Sequence, residues 1–311
     1  MPDTWRLGTG EERIRAAVVG CGGAGCNTLR HVTPPTGIER IAVNDTPHSS
    51  MAGIRRRVLV PTEPLQAIAS LEEKAIPTLA TNEEKDLSNA LANRDFIVAL
   101  GGLGGQFGGW ALAVVGRVVR ILGGSSLTLA TLPFTAEGML RRHVSEAQLA
   151  SVQGHADGVV AFANDALLRS YPTLPLAKAF GAMGAIMARP AAALPSVLSR
   201  SDLVPLKRFL ARSKDWRFGM GAGQEKHRCF VAVEEAYASP WFTGRHEDIR
   251  QAIVLIAQPP GAAMEDELLR EVRLRSPRAD LAWAILPDPA PDDRVQVQIL
   301  AGLEAHRAAP V

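Results

Sequence analysis

Through the first half of the chain, apolar runs of five or six residues alternate with longer stretches of helical periodicity. Residues 14–19, 40–44, 96–100, 127–132 and 158–162 read as strands. Helices are predicted to open at 27–31, near 70–74 and 82–92, over 110–121 and over most of 136–155. Strands that are apolar throughout, separated by helices, indicate a parallel sheet covered on both faces, a doubly wound α/β unit. Residues 177–188 are apolar nearly all round, which predicts a helix buried on most sides, bounded by Pro190 and Pro195. Beyond it, residues 229–233, 252–257, 282–286 and 295–300 read as four strands, with helices near 201–210 and 265–274. The last strand alternates and so exposes one face. The expected organisation is a polar lead-in over 1–13 with Trp5 as a docking point, a first domain over 14–172, a central helix over 173–195 and a smaller α+β domain over 196–311.

Two of the predicted strands run straight into glycine-rich loops, GCGGAGCN over residues 20–27 and GGLGGQFGG over 101–109. Backbone amides can cradle a phosphate chain only where no Cβ blocks the approach. Two such loops at the carboxyl edge of one sheet point to one nucleotide held from two sides. The first loop also fits G-x-G-x-x-G, with Asp45 at about the separation of a ribose-binding acid. A simple dinucleotide fold needs one such loop, so the second argues against a nicotinamide enzyme, as does the lack of a catalytic His or Tyr–Lys pattern.

Composition narrows the picture further. The 311 residues suffice for two domains, and 47% apolar with 21% charged content makes the chain globular. A net charge of +2 gives no case for a nucleic-acid partner. Cys21, Cys26 and Cys229 form neither a metal-ligand pattern nor a disulfide framework, so they read as small buried residues of a reducing cytoplasm. Nothing approaches the roughly 18 apolar residues of a membrane span, and no signal peptide is recognisable. The arginines at 55–57, 117, 120, 141 and 142 read as residues of solvated faces. Trp241 and Phe242 fit an exposed contact or ordinary packing equally well.

The order of motifs resembles the tubulin/FtsZ family, closest to the FtsZ proteins. The family's opening strand and G-x-G-G-x-G-x-N are matched at 20–27, and A-V-N-T-D is matched at 42–46 with its last two residues exchanged. Its signature loop falls at 102–108, P-F-x-x-E-G-x-x-R at 133–141, N-D at 164–165, and A-F-G at 179–181. Ser239-Pro240 and Asp288-Pro289 match in the second domain. The resemblance implies that Gly22, Gly23, Ala24 and Gly25 line the phosphates of GTP or GDP, with Asn27 toward the sugar and base. It places Asn44, Gly102, Gly104, Gly105, Gln106, Phe107, Gly108 and Pro133 at the same nucleotide. Glu137 would accept from ribose hydroxyls, Arg141 meet ribose or phosphate, Asn164 read the guanine edge, and Phe180 stack on the base. Read without the resemblance, Glu137 and Arg141 equally suit a surface pair one helical turn apart, and Asn164 a helix cap.

The departures matter as much. Both threonines of the signature G-G-G-T-G-T-G are missing, and Gln106 and Phe107 stand in that stretch, where the phenyl ring can fill phosphate space. The glycine-rich terminal-phosphate loop has no counterpart in 59–66 or 78–82, and Gly184 replaces a base-reading residue. The family's catalytic N-x-D-x-x-D is reduced to SRSDLVP over 199–205, where Asp202 is the one acid, equally suited to capping a helix. The resemblance with these departures implies a cytoskeletal protein that assembles head to tail into protofilaments, alone or with a related subunit. Its GTP hydrolysis would be weak or absent, and its nucleotide held with or without magnesium. Two alternatives stand beside this: an active GTPase using other acids, such as Asp215 or Glu225, and a nucleotide-free pseudo-tubulin serving another filament protein. The sequence after the last strand lacks the family's adaptor-binding peptide, so contact with the usual membrane adaptors is not expected.

Overall fold

A computed structural model describes residues 3–33, 37–70, 78–288, 290 and 293–304. The chain divides into two compact units, residues 14–196 and residues 1–13 with 197–311. A short strand, β1 (Thr4–Arg6), belongs to the second of these.

The unit at 14–196 is built from β2 (Ala16–Cys21), α1 (Gly22–Leu29), β3 (Ile38–Asn44), β4 (Arg56–Leu59), α2 (Thr62–Ala69), α3 (Asn82–Leu91), β5 (Phe96–Gly102), α4 (Gly108–Ile121), β6 (Ser125–Leu132), α5 (Met139–His155), β7 (Gly158–Ala163), α6 (Asn164–Ser170) and α7 (Leu176–Val197), whose last residue falls in the other unit. Its strands are all parallel, in the order β7-β6-β5-β2-β3-β4. Every residue of β2 is buried, and Val19, Ile97 and Ala99 pack with Leu112, Val115 and Val119 of α4 in one core. This is the doubly wound α/β sheet that the apolar strands predict.

Three local expectations are corrected. α1 begins at Gly22 rather than Asn27, so the first glycine loop is itself the opening turn of the helix. α7 is not bounded by Pro190 and Pro195 but runs through both to Val197. It is also less enclosed than predicted, since Lys178, Phe180, Gly181, Ala185 and Arg189 are exposed. Residues 71–74 of the helix expected near 70–74 lie outside the described residues, and α2 precedes them.

The second unit contains α8 (Leu203–Ala211), β8 (Trp216–Gly223), α9 (Arg228–Tyr237), β9 (Ile249–Ala257), α10 (Glu265–Arg275), β10 (Asp280–Ile285) and β11 (Val295–Leu303). Its strand order is β1-β10-β9-β11-β8, with β1, β10 and β9 parallel and β11 antiparallel to both neighbours. Trp5 docks edge-on against Phe209 at 4.6 Å. Residues 229–233, expected as a strand, lie in helix α9, and β8 was not expected at all. β11 alternates only to Gln298, after which residues 299–302 are buried. Trp241 and Phe242 are both buried, as ordinary packing requires.

One arginine expected on a solvated face is buried. Arg117 of α4 donates from Nε to Glu84 Oε1 at 2.6 Å, and Glu84 is 1% exposed. Glu84 Oε2 also accepts from the Ala80 and Thr81 amides, closing the capping box of α3. Glu84→Ala strands a buried guanidinium and uncaps α3. It is expected to cost about 3–5 kcal/mol in urea unfolding, as losing one member of a buried pair does.

Candidate functional site

The site begins with a register. β2 and β5 are adjacent and parallel, with Gly20 opposite Leu100 and Cys21 opposite Gly101, so both strands end at one edge. From that edge the chain turns directly into α1 and, through residues 103–107, into α4. Gly22 has φ +70°, and a Cβ there would stand 3.0 Å from the Gly108 Cα. A Cβ on Gly108 would stand 3.0 Å from the Gly102 carbonyl oxygen. Two helix N-termini therefore meet through glycine contacts. Neither has a side-chain cap or an acidic residue in its first turn. Their leading N–H groups lack intrahelical partners and carry the positive end of the helix dipole, the arrangement that binds anions.

The glycines divide by role. A Cβ on Gly25 would lie 2.2 Å from the Leu100 carbonyl oxygen, and one on Gly20 2.7 Å from the Gly25 oxygen, so these two permit helix–strand packing. Gly23 and Gly105 have nothing within 4 Å of a Cβ and border open space. That space is a cavity of about 530 Å³ between the helix N-termini, the end of β3 and the residues after β6. A second cavity of about 720 Å³, between α1 and α7, shares Ala24, Thr131, Asn164 and Phe180 with it. Of the residues expected to meet a nucleotide, all but Gly25 and Gly104 line these two spaces: Asn27 the second, Gly22, Gly23, Asn44, Gly102, Gly105, Gln106, Phe107, Gly108, Pro133, Glu137 and Arg141 the first.

The polar groups of the cleft are unequally committed. Asn44 donates to the Thr46 carbonyl at 2.9 Å, and Asp45 accepts from the Thr46 and Thr62 hydroxyls. Glu137 accepts from the Phe134 amide at 2.8 Å and pairs with Arg141. The surface-pair geometry is thus present, at the wall of the cavity. Asn164 is 4% exposed and, among the described residues, caps nothing and finds no hydrogen-bond partner for its Oδ1. A buried amide oxygen left without a donor is costly, and the residue that carries it lines both cavities. Phe180 is half-exposed, with Phe134 edge-on to it at 5.3 Å.

Phe107 lines the first cavity and packs into the core beside α4, where it is 6% exposed. Gly104, expected at the nucleotide, donates its N–H to Gln148 Oε1. Gln148 and Gln66, which hold the second loop from outside, were missed by sequence reasoning. The signal for Gln148 was its place between Val144 and Val152 on the buried stripe of α5. His31 was missed as well; it packs against Gly184, where a Cβ would lie 3.0 Å from its ring.

Asp202 lies in the other unit, at the end of a 3-10 turn. Its Oδ2 accepts from the Ser199 amide and hydroxyl at 2.7 and 2.6 Å and from the Gly8 amide at 2.9 Å. It is 5% exposed, and it gives α8 no side-chain cap. Asp215 pairs with Arg217, and Glu225 opens a short 3-10 turn.

No protein-family model matches the chain. Cell division protein FtsZ 1 of Pyrococcus furiosus is 28% identical over 313 residues, covering 96% of this chain and 83% of its own length. Cell division protein FtsZ of Methanothermobacter thermautotrophicus is 29% identical over 285 residues, with 87% and 74% covered. The fold is similar to an empty FtsZ dimer from M. jannaschii, with TM-score 0.79, 22% identity, and 94% and 89% of the chains covered. It is also similar to a GDP-bound monomer of CetZ1 from Haloferax volcanii, with TM-score 0.72, 18% identity and 96% of each chain covered. A GTPγS-bound protofilament of CetZ2 from the same organism matches with TM-score 0.69, 17% identity and 94% of each chain covered.

Burial governs the three thiols. It pushes Cys26 up to about 11 and Cys229 to about 12, and it raises Cys21, at the cavity wall, well above the usual thiol range. A raised pKa keeps the neutral thiol below that value, and only the thiolate attacks. At pH 8 the native protein is expected to leave all three unmodified by an aromatic disulfide reagent, and to release three equivalents once unfolded. Rapid native labelling would contradict the burial.

Proposed function

From the chain's place as a divergent FtsZ-like member of the tubulin superfamily, we propose that it binds a guanine nucleotide in the cleft between α1, α4 and α7. It assembles head to tail into protofilaments around that nucleotide. The observation that carries the nucleotide reading is the Oδ1 of Asn164, without a partner among the described residues, in a residue that lines the same cleft as two uncapped helix N-termini. An amide suited to the N–H edge of guanine and backbone donors suited to phosphate thus share one space of nucleotide size. Phe180 lines the same space, and Glu137 retains acceptor capacity for ribose hydroxyls beside its two present partners.

Head-to-tail assembly is supported by the FtsZ, CetZ and TubZ relatives, several of which are known as dimers or protofilaments. A heterologous contact of that kind extends into an open filament when its rotation does not close. Hydrolysis is a separate matter. Water-orienting chemistry needs a carboxylate free to act. The segment at 199–205 offers one, and three protein donors already hold its Oδ2. Slow or absent hydrolysis follows, with filaments that persist because nothing weakens the contact.

Asn164→Ala is expected to weaken GDP binding by about 10–100-fold in calorimetric titration, the worth of one buried hydrogen bond and its unmet partner. Unchanged affinity would remove Asn164 from the base site. In sedimentation with negative-stain imaging, the wild type is expected to form filaments in GTP while releasing little phosphate. Brisk steady release would overturn the hydrolysis reading, and no filaments with any nucleotide would favour an accessory pseudo-tubulin.

A further inference from the structure

The second glycine loop is held in shape by a residue outside it. Gln148 of α5 is fully buried, and both ends of its amide are spent on that loop. Its Oε1 accepts from the Gly104 N–H at 2.7 Å, and its Nε2 donates to the Gly105 carbonyl at 2.7 Å. A primary amide accepts at one end and donates at the other; a carboxylate cannot donate and a hydrocarbon does neither. The space for it exists because residue 109 is glycine: a Cβ there would lie 2.2 Å from Gln148 Oε1. Gly104, at φ +88°, presses against α5, where a Cβ would stand 2.8 Å from the Arg141 carbonyl oxygen.

The consequence lies in the next peptide. In a planar trans peptide the C=O and N–H point in opposite directions. Fixing the Gly105 carbonyl on Gln148 therefore turns the Gln106 N–H the other way. The Gln106 carbonyl accepts in turn from Gln66 Nε2 at 3.2 Å, which does the same for the Phe107 N–H. Gln106 and Phe107 both line the cleft, and neither N–H has a protein partner among the described residues.

We propose that Gln148 is the positioning residue of this loop, clasping Gly104 and Gly105 so that the Gln106 and Phe107 N–H groups meet phosphate oxygens of a nucleoside di- or triphosphate. The inference rests on the nucleotide reading of the cleft. It assigns to α5 an ordering role in a loop whose own sequence carries no hydroxyl.

The test compares ligands with and without phosphate. Gln148→Met preserves volume and makes neither bond. It is expected to weaken GDP and GTP binding at least tenfold in calorimetric titration while leaving guanosine within twofold of the wild type. Gln148→Glu keeps the shape and the Gly104 contact but opposes the Gly105 carbonyl. It is expected to show the same split, and it reports should the Met variant fail to fold. Equal losses for GDP and guanosine would reduce Gln148 to a structural residue and overturn the proposal, as would GDP affinity within twofold of the wild type. A wild-type protein that binds neither GDP nor guanosine would instead overturn the nucleotide reading, and this inference with it.

Discussion

The site depends on two helices starting at nearly the same point. A parallel sheet puts the carboxyl ends of adjacent strands side by side, so the helices that follow β2 and β5 must begin within contact of each other. Side chains at that meeting would hold the helix ends apart. Gly22 against Gly108, and Gly108 against the Gly102 carbonyl, make the contact backbone to backbone. Gly25 against Leu100 lets α1 lie flat on β5. The price is a region with few side chains of its own, whose chemistry is carried by peptide groups and by residues reaching in from β3, α5, α6 and α7.

The same device recurs in the other unit, where it packs a helix on a strand. Along β8, Gly219, Gly221 and Gly223 present one bare face. Cβ atoms there would fall 2.0, 2.1 and 1.9 Å from the carbonyl oxygens of Ala236, Ala232 and Arg228 in α9. Those residues are one helical turn apart, so the helix rests with its backbone on the glycine face. Glycine rows thus have two uses in this chain, and only the row that ends a strand and opens a helix leaves N–H groups for a ligand.

That distinction explains what was legible in the sequence. The parallel sheet was readable because most of its strands are dominated by apolar residues, and the cleft because both glycine loops follow such strands; the edge strand β4, Arg-Arg-Val-Leu with every second residue exposed, was not legible. β8 was illegible because glycine at every second position lowers its apolar content and its strand propensity. α9 was misread because Cys-Phe-Val-Ala-Val resembles a strand over five residues. Over ten, its buried Cys229, Ala232, Val233, Ala236 and Tyr237 follow helical spacing. Pro190 and Pro195 misled because proline usually ends a helix, whereas here Pro190, Ala191, Leu194 and Pro195 are buried and the helix continues. Gln148 was half legible: helical spacing marks its burial, but its partners are backbone atoms more than 40 residues away, a contact no local pattern encodes.

Backbone donors and side-chain acids drift differently. A cradle of N–H groups survives replacement of most side chains, provided the glycines that allow close approach remain and something orders the loop. A loop with no hydroxyl of its own therefore still leaves the two helix N-termini uncapped, with Gln66 and Gln148 gripping the loop from behind. A water-orienting acid has no such tolerance, because its function resides in one carboxylate at one position. At 199–205 the one carboxylate, Asp202, is drawn into the turn joining Ser199 to Gly8. A cleft built from backbone donors therefore outlasts changes of side chain that would abolish any chemistry resting on a single carboxylate.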